Sequence, residues 1–277
     1  MRTTASSVLR ARAGCGVAGM ARSYMVAFLL LCGLPAQAAL PDTVDKIRPS
    51  IVAVGTVKPA KRANAAGPAL NYLGTGFVVG NGRQVITNFH VIPEKLDAEA
   101  MEALAVFVGR GGSGEARQAR VVRSDPDHDV ALLEIGGAAL PALQLAEPGT
   151  VREGEEIAFT GYPIGPVLGL YPATHRGIVS AVTPIVIPAM SSRTLTAEQV
   201  RRIRSPFDVY QLDATAYPGN SGSPVFELGS GRVIGVINSV LIKETREATL
   251  AQPTGITYAI PAKYIKPLLD GVVAARH

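Results

Sequence analysis

The clearest local pattern in this sequence is a glycine-rich turn between two short apolar segments. It reads Asp213-Ala214-Thr215-Ala216-Tyr217-Pro218-Gly219-Asn220-Ser221-Gly222-Ser223-Pro224. A serine that attacks a carbonyl needs an exposed tight turn and nearby backbone N–H groups that hold the negative oxygen formed by the attack. The glycines on both sides of Ser221 permit such a turn, because glycine adopts backbone angles that other residues avoid. An ordinary hairpin turn also explains this stretch, so a chemical role for Ser221 requires partners elsewhere.

A serine nucleophile needs a general base, and the chain has four histidines. His277 is the last residue, His175 lies in a turn-rich stretch, and His128 lies in a polar cluster. His90 instead ends an apolar run, Val85-Ile86-Thr87-Asn88-Phe89-His90. A base at the end of a strand is held rigidly and is still reachable from a cleft. His90 is therefore the candidate base, and a half-buried structural histidine is the alternative.

The third member of such a site is a buried carboxylate that orients the imidazole. Asp129 directly precedes the apolar run Val130-Ala131-Leu132-Leu133-Glu134-Ile135, which predicts low solvent access, unlike Asp125 and Asp127 in the preceding turn. The alternative for Asp129 is an ordinary turn or strand-start residue. The chain order His, Asp, Ser is that of chymotrypsin-type triads, whereas α/β-hydrolases have Ser, acid, His.

Short apolar runs separated by turn residues continue along the chain and predict an all-β sandwich or barrel. The predicted strands are residues 51–57, 76–79, 84–88, 105–108, 120–123, 130–135, 156–160, 177–182, 209–213, 224–226, 233–237 and 256–260. Residues 60–70 are rich in Ala, Gly and Pro and predict an exposed loop. Two helices are predicted, a basic one over residues 196–204 and a C-terminal one over residues 262–275.

The first 38 residues have the pattern of a secretion signal. They hold four of the 27 basic residues and none of the 22 acidic ones, so the remaining chain carries 23 basic and 22 acidic residues. This balance removes the main support for a nucleic-acid partner. An apolar run over residues 25–34 is followed by Ala36 and Ala38, and we expect cleavage after Ala38. An uncleaved anchor is the alternative.

Both cysteines of the chain, Cys15 and Cys32, lie inside this predicted signal. The exported protein is therefore expected to contain no disulfide, no thiolate nucleophile and no metal ligated by cysteine. We expect no metal site and no cofactor. We also expect no stable membrane insertion once the signal is cleaved.

Several motifs resemble the trypsin-like serine peptidases, and most closely their bacterial HtrA/Deg branch. The first group is Gly74-Thr75-Gly76-Phe77-Val78-Val79, Val85-Ile86-Thr87-Asn88-Phe89-His90-Val91 and Asp129-Val130-Ala131-Leu132-Leu133. The second group is Gly161-Tyr162-Pro163-Ile164-Gly165, Gly177-Ile178-Val179-Ser180-Ala181-Val182, Gly219-Asn220-Ser221-Gly222-Ser223-Pro224, Val233-Ile234-Gly235-Val236 and Tyr258-Ala259-Ile260-Pro261. The resemblance runs from about residue 44 to about residue 269, in matching order.

The resemblance implies one peptidase domain over residues 39–277, built from two perpendicular six-stranded antiparallel β-barrels and a C-terminal helix. The barrels would span about 44–150 and 151–260. The implied catalytic triad is His90, Asp129 and Ser221, and the implied oxyanion hole is the N–H groups of Gly219 and Ser221. The segment Asn238-Ser239-Val240 would pair with the substrate backbone as an added strand.

The resemblance also implies a specificity pocket with Thr215, six residues before the nucleophile, at its floor. Because Thr215 carries no charge, we expect cleavage after small or aliphatic residues. The sequence departs from the family in three places. Ser223 replaces a second glycine, which we expect to be tolerated with a possible shift of the loop. Only 17 residues follow Ile260, too few for a PDZ domain, and residues 184–207 form a long insertion.

These features predict an exported serine endopeptidase, periplasmic or secreted from a bacterium, that cuts exposed or unfolded polypeptides through an acyl-enzyme. The alternative is a protein on a peptidase scaffold that binds polypeptides as a holdase with little turnover.

Overall fold

The computed structural model describes residues 40–59, 69–111, 114–163, 170–185, 206–239 and 255–274. Twelve strands form two closed six-stranded barrels within these ranges. The first barrel contains β1 (Ile51–Lys58), β2 (Ala69–Val79), β3 (Gln84–Thr87), β4 (Ala103–Val108), β5 (Glu115–Asp125) and β6 (Val130–Ile135). Its strands are arranged in the order β1-β2-β3-β6-β5-β4, and each pairing is antiparallel.

The second barrel repeats this arrangement with the remaining strands. They are β7 (Glu156–Gly161), β8 (Ala173–Pro184), β9 (Asp208–Asp213), β10 (Pro224–Glu227), β11 (Val233–Asn238) and β12 (Ile256–Pro261). Their order around the barrel is β10-β11-β12-β9-β8-β7, again antiparallel throughout. The predicted fold class of two six-stranded antiparallel barrels is therefore confirmed.

The apolar runs form strands with two buried faces. Along β1, Val52 and Val54 belong to one apolar cluster, which fills the first barrel. Ile51 and Ala53 alternate with them and belong to another cluster, which continues into the second barrel at Phe226. Because successive side chains of a strand point to opposite faces, an uninterrupted apolar run is what a strand buried on both faces requires.

Each of the twelve predicted strands is present, and the differences lie at the ends. β2, β5 and β8 extend well beyond their predicted bounds, through residues that are mostly exposed or half-buried. An apolar pattern does not mark such ends, because few of their side chains are buried and apolar. The predicted loop over residues 60–70 is wrong at its end, since Ala69 and Leu70 pair with Lys58 and Val57.

Helices occupy the two ends of the described chain. The helix α1 (Leu40–Ile47), which was not predicted, buries Val44 and Ile47 against the barrels. The predicted helix over residues 262–275 is wrong in its first turn, which is a 3-10 turn (Ala262–Tyr264) that precedes α2 (Lys266–Ala274). Its predicted end and the predicted helix over residues 196–204 lie outside the described residues. In the described ranges, no helix is both long enough and apolar enough to cross a bilayer.

The bulge in the pairing of β1 with β2, where Leu73 of β2 has no partner, generates a test of this packing. Pairing with β2 shifts between Val54 and Gly55, and a Cβ on Gly55 would lie 1.9 Å from the carbonyl oxygen of Asn71. We expect Gly55→Ala to lower the free energy of unfolding by about 2–3 kcal/mol, because a backbone atom cannot move aside without distorting the barrel. Gly136→Ala is the matched control, since its added Cβ would meet no atom within 4 Å. Urea unfolding of both variants makes the comparison, and equal stabilities would contradict the observed packing.

Candidate functional site

His90 and Asp129 lie in contact at one end of the first barrel. His90 is in a single 3-10 turn (Phe89–Val91) directly after β3, and Asp129 directly precedes β6. The Nδ1 atom of His90 lies 2.6 Å from Oδ2 of Asp129, and the backbone N–H of His90 donates to Oδ1 at 2.9 Å. One carboxylate thus fixes both the backbone and the ring of His90.

Asp129 is itself held by its backbone. Its φ angle is 53°, in the left-handed region, which Asp and Asn tolerate better than most residues. Its carbonyl oxygen accepts hydrogen bonds from the Phe89 N–H at 3.2 Å and from Nδ2 of Asn88 at 3.0 Å. The predicted burial of Asp129 is confirmed, with 6% of the residue exposed, whereas Asp127 is exposed.

Asn238, the last residue of β11, brings the second barrel to the same carboxylate. Its Nδ2 donates to Oδ2 of Asp129 at 2.6 Å, and the residue is buried. The N–H of the next residue, Ser239, faces Oγ of Ser221 at 3.4 Å. Asn238 was predicted only as part of a substrate-pairing segment, and its contact with Asp129 was missed. The only sequence signal was an amide side chain at the end of a buried apolar strand.

The loop around Ser221 is a tight turn, as predicted, but it is not the exposed turn that was expected, since only 6% of Ser221 is exposed. Gly219 and Gly222 have φ angles of 96° and 89°, which glycine adopts without strain. The N–H of Gly222 donates to the carbonyl of Ile237, and the Ile237 N–H donates to the carbonyl of Ser223. A Cβ on Gly222 would lie 1.9 Å from the carbonyl oxygen of Thr75. The loop is therefore pressed against the first barrel on one side and bonded to β11 on the other.

Ser223, which replaces the expected second glycine, is fully buried beside this loop. Its N–H donates to the carbonyl of Asn220 at 3.0 Å. A Cβ on Gly161 would lie 1.9 Å from Oγ of Ser223. Gly161 at the end of β7 thus leaves the space that the Ser223 hydroxyl occupies.

Comparison with known proteins agrees with this geometry. Residues 74–236 match the family model described as the trypsin-like peptidase domain. This chain belongs to the trypsin-like peptidase family. The match spans the segments that carry His90, Asp129 and Ser221.

Individual relatives of this trypsin-like peptidase confirm the resemblance to the HtrA/Deg branch. It is 32% identical to a probable periplasmic serine endoprotease, DegP-like, of Pseudomonas putida strain W619, over 68% of this chain and 32% of the relative. It is 29% identical to the protein of that description from Ectopseudomonas mendocina, over 86% of this chain and 50% of the relative. The chain thus spans 32% to 50% of the length of these relatives.

The solved structure of the HtrA-type protease AlgW with a decapeptide is similar to this chain in fold. The TM-score is 0.61 at 21% sequence identity, and the match covers 86% of this chain and 68% of AlgW. At this identity the match supports the architecture of two barrels and nothing finer.

The segment around Thr215 in this trypsin-like peptidase is held by β12. The hydroxyl of Thr257 donates to the carbonyl of Ala214 at 2.6 Å and accepts from the N–H of Ala216 at 3.1 Å. Thr215 lies between them and is half-buried. Thr257 was not predicted, because its partners are over 40 residues away in the sequence. Val240, predicted to contact substrate, lies outside the described residues.

Two further histidines have partners away from Ser221. Nδ1 of His128 lies 2.6 Å from Oδ2 of Asp125, and its ring stacks on Tyr264 with centroids 4.1 Å apart. His175 stacks on Phe159 with centroids 4.8 Å apart, and burial lowers the pKa of its imidazole. Across the described residues, no three His, Cys, Asp or Glu side chains are grouped as metal ligands would be.

The lowered pKa of His175 predicts a dependence of stability on pH. Below the unfolded pKa of about 6.5, the unfolded chain binds the proton more readily than the folded one, so the free energy of unfolding decreases as the pH falls. We expect His175→Phe to weaken this decrease between about pH 7 and pH 5, since Phe keeps the ring contact with Phe159 and cannot be protonated. Urea unfolding at several pH values measures the difference, and identical slopes for the variant and the wild type would rule out this contribution.

Proposed function

We propose that this protein is a serine endopeptidase in which Ser221 is the nucleophile, His90 the general base and Asp129 the orienting carboxylate. One observation carries the proposal: the Asp129 carboxylate contacts His90 of its own barrel and Asn238 of the other. The residue after Asn238 has its N–H facing the Ser221 hydroxyl. These contacts link His90 and Asp129 of one barrel to the Ser221 loop of the other through Asn238 and Ser239, which supports the proposal.

The arrangement supports acyl transfer as follows. With Nδ1 of His90 occupied by Asp129, the other ring nitrogen, Nε2, is available to take the proton of the Ser221 hydroxyl as the serine attacks a peptide carbonyl. His90 then gives this proton to the leaving amine, and water hydrolyses the acyl-enzyme by the same route. Asp129 keeps the tautomer and orientation of His90 and stabilises the imidazolium. The Asn238 amide donates to Oδ2 of Asp129 and so helps to hold the carboxylate in place.

The N–H groups of Gly219 and Ser221 supply the oxyanion hole in this proposal. Neither donates a hydrogen bond to another backbone group among the described residues. Donors that are already oriented towards the developing oxyanion stabilise the transition state more than the ground state, and one such donor is worth about 10²–10³-fold in rate.

The substrate that fits this site is an extended, partly apolar polypeptide. Phe89, adjacent to His90, and Tyr217, four residues before Ser221, leave 39% and 43% of their surface exposed. Such side chains would contact apolar segments that unfolded chains present. Pairing of the substrate backbone with residues 238–240 would align it across Ser221. Two relatives carry endoprotease names, and AlgW was solved with a peptide, which supports this substrate class.

Export to the bacterial periplasm completes the proposal. The N-terminal 38 residues have the composition of a cleavable signal, although they lie outside the described residues. The DegP-like relatives are named as periplasmic proteins.

Replacing the nucleophile tests the activity. We expect the wild-type protein to degrade casein and to be labelled by a fluorophosphonate probe, and Ser221→Ala to lower the hydrolysis rate by about 10⁴-fold or more. Ser230→Ala, which alters an exposed serine in the β10–β11 hairpin, is the matched control and should retain full activity. Equal casein degradation by the wild type and Ser221→Ala would refute the proposal. A folded wild-type protein that takes up no probe would instead indicate the polypeptide-binding alternative.

Thr215, at the proposed floor of the specificity pocket, predicts the cleavage preference. Its neighbours Ala214 and Ala216 are small, and no charged side chain occupies position 215. We expect a peptide library to be cut after Ala, Val and other small or aliphatic residues, because a buried cation from Lys or Arg would have no partner at that floor. Mass-spectrometric mapping of the cut sites gives the preference, and a profile dominated by Arg or Lys would overturn this assignment.

A further inference from the structure

We propose that Thr75 is a positioning residue that holds the oxyanion loop of the second barrel from within the first. This inference rests on the proposed function, because it concerns the amide donors that would face the reacting carbonyl oxygen. Thr75 is the centre of the Gly74-Thr75-Gly76 motif in β2, and its side chain is fully buried.

Thr75 holds the loop at two alternate residues. Its hydroxyl donates to the carbonyl of Gly219 at 2.8 Å, and its backbone N–H donates to the carbonyl of Ser221 at 2.8 Å. These are the same two residues whose N–H groups would form the oxyanion hole. Since each carbonyl is bonded to Thr75, the peptide planes that follow Gly219 and Ser221 have fixed orientations. The N–H of Ser221 belongs to the peptide plane between these two, and the N–H of Gly219 belongs to the plane directly before the first.

The hydroxyl of Thr75 is itself oriented by its surroundings. It accepts a hydrogen bond from the backbone N–H of Tyr162 at 2.9 Å, which leaves its single proton for the carbonyl of Gly219. The carbonyl of Thr75 accepts from the hydroxyl of Thr87 at 2.7 Å. A fully bonded, buried residue of this kind has one low-energy arrangement.

The loop needs an external restraint of this kind. Gly219 has a φ angle of 96° and Gly222 one of 89°, and glycine at such positions has access to many other conformations. The absence of a side chain on Gly74 allows β2 to approach the Ser221 loop closely. A Cβ on Gly74 would lie only 2.9 Å from the carbonyl oxygen of Ser221. The hydroxyl of Thr75 therefore selects the conformation in which the two amides remain together.

The expected consequence is a defect in the chemical step rather than in substrate binding. Thr75→Val keeps the shape of the side chain and removes the hydroxyl, so that both the Gly219 carbonyl and the Tyr162 N–H lose this partner. We expect kcat to fall by about 10–100-fold, less than or similar to the loss of one oxyanion donor, while KM changes by less than about threefold. Thr75→Ser keeps the donor and should restore most of kcat.

Inhibitors separate this role from a general loss of structure. A peptide aldehyde, whose adduct with Ser221 carries the oxyanion, should lose affinity for Thr75→Val by the same factor as kcat/KM. The corresponding peptide alcohol, which forms no adduct, should bind the variant and the wild type equally.

Thr43→Val is the matched control. Thr43 is also a buried threonine whose hydroxyl donates to a second-barrel carbonyl, that of Leu228 at 2.6 Å, beyond the far end of β10 from the nucleophile loop. We expect it to lower thermal stability without changing kcat or the affinity for the aldehyde. If Thr75→Val fails to fold, Thr75→Cys, which keeps only a weak donor, replaces it and should have a kcat below those of both Thr75→Ser and Thr43→Val.

The outcomes distinguish the two proposals. Full kcat and unchanged aldehyde affinity in folded Thr75→Val would overturn the role of Thr75. If Thr75→Val keeps full kcat and aldehyde affinity while Ser221→Ala is inactive, the peptidase proposal stands and only the role of Thr75 is overturned. Undiminished hydrolysis by Ser221→Ala would overturn the peptidase proposal and this inference with it.

Discussion

The interface between the two barrels is the constraint on which the site depends, because His90 and Asp129 belong to one barrel and Ser221 to the other. Buried hydrogen bonds cross this interface at Thr75, Asn238 and Tyr162. The Tyr162 hydroxyl lies 3.4 Å from the carbonyl oxygens of both Ile51 and Gly109. Burial raises the pKa of this phenol to about 12, so it remains a neutral donor at physiological pH.

Apolar packing holds the barrels together around these polar contacts. One continuous cluster contains Phe77 of the first barrel, Phe226 of the second, Ile47 of α1 and Ile265 beside α2. The helices at both ends of the described chain therefore cover the joint between the barrels. Since nonpolar burial has no directional preference, it brings the barrels together, and the hydrogen bonds set their relative position.

The sequence predicted much of this structure because the signals were local. Uninterrupted apolar runs predicted twelve strands, and the three residues proposed as a triad each had a local feature: a strand end for His90, a strand start for Asp129 and a glycine turn for Ser221. The expectation that they lie together came from the resemblance to a known family, since no local pattern measures distance between segments. Residues 196–204 and the substrate contact at Val240 stay predictions.

The residues that the sequence did not reveal act through partners far away along the chain. Asn238 reaches Asp129 across 109 positions, and Thr257 reaches Ala214 across 43. A polar residue in a strand has the same local appearance whether its partner is water or a distant carbonyl. The helix α1 was missed for a related reason. A helix this short is stabilised mainly by packing of its apolar face against the barrels, and its sequence alone does not indicate that packing.

The backbone of Asp129 has a consequence for how this protein can change over time. A left-handed conformation admits Gly, Asn and Asp far more readily than Glu or an apolar residue. Asn is the nearest in shape to Asp and keeps one oxygen for the hydrogen-bond donors around it. If a copy of this gene loses the proposed activity, Asn at position 129 is therefore the substitution that removes the charge with the least disturbance of the backbone.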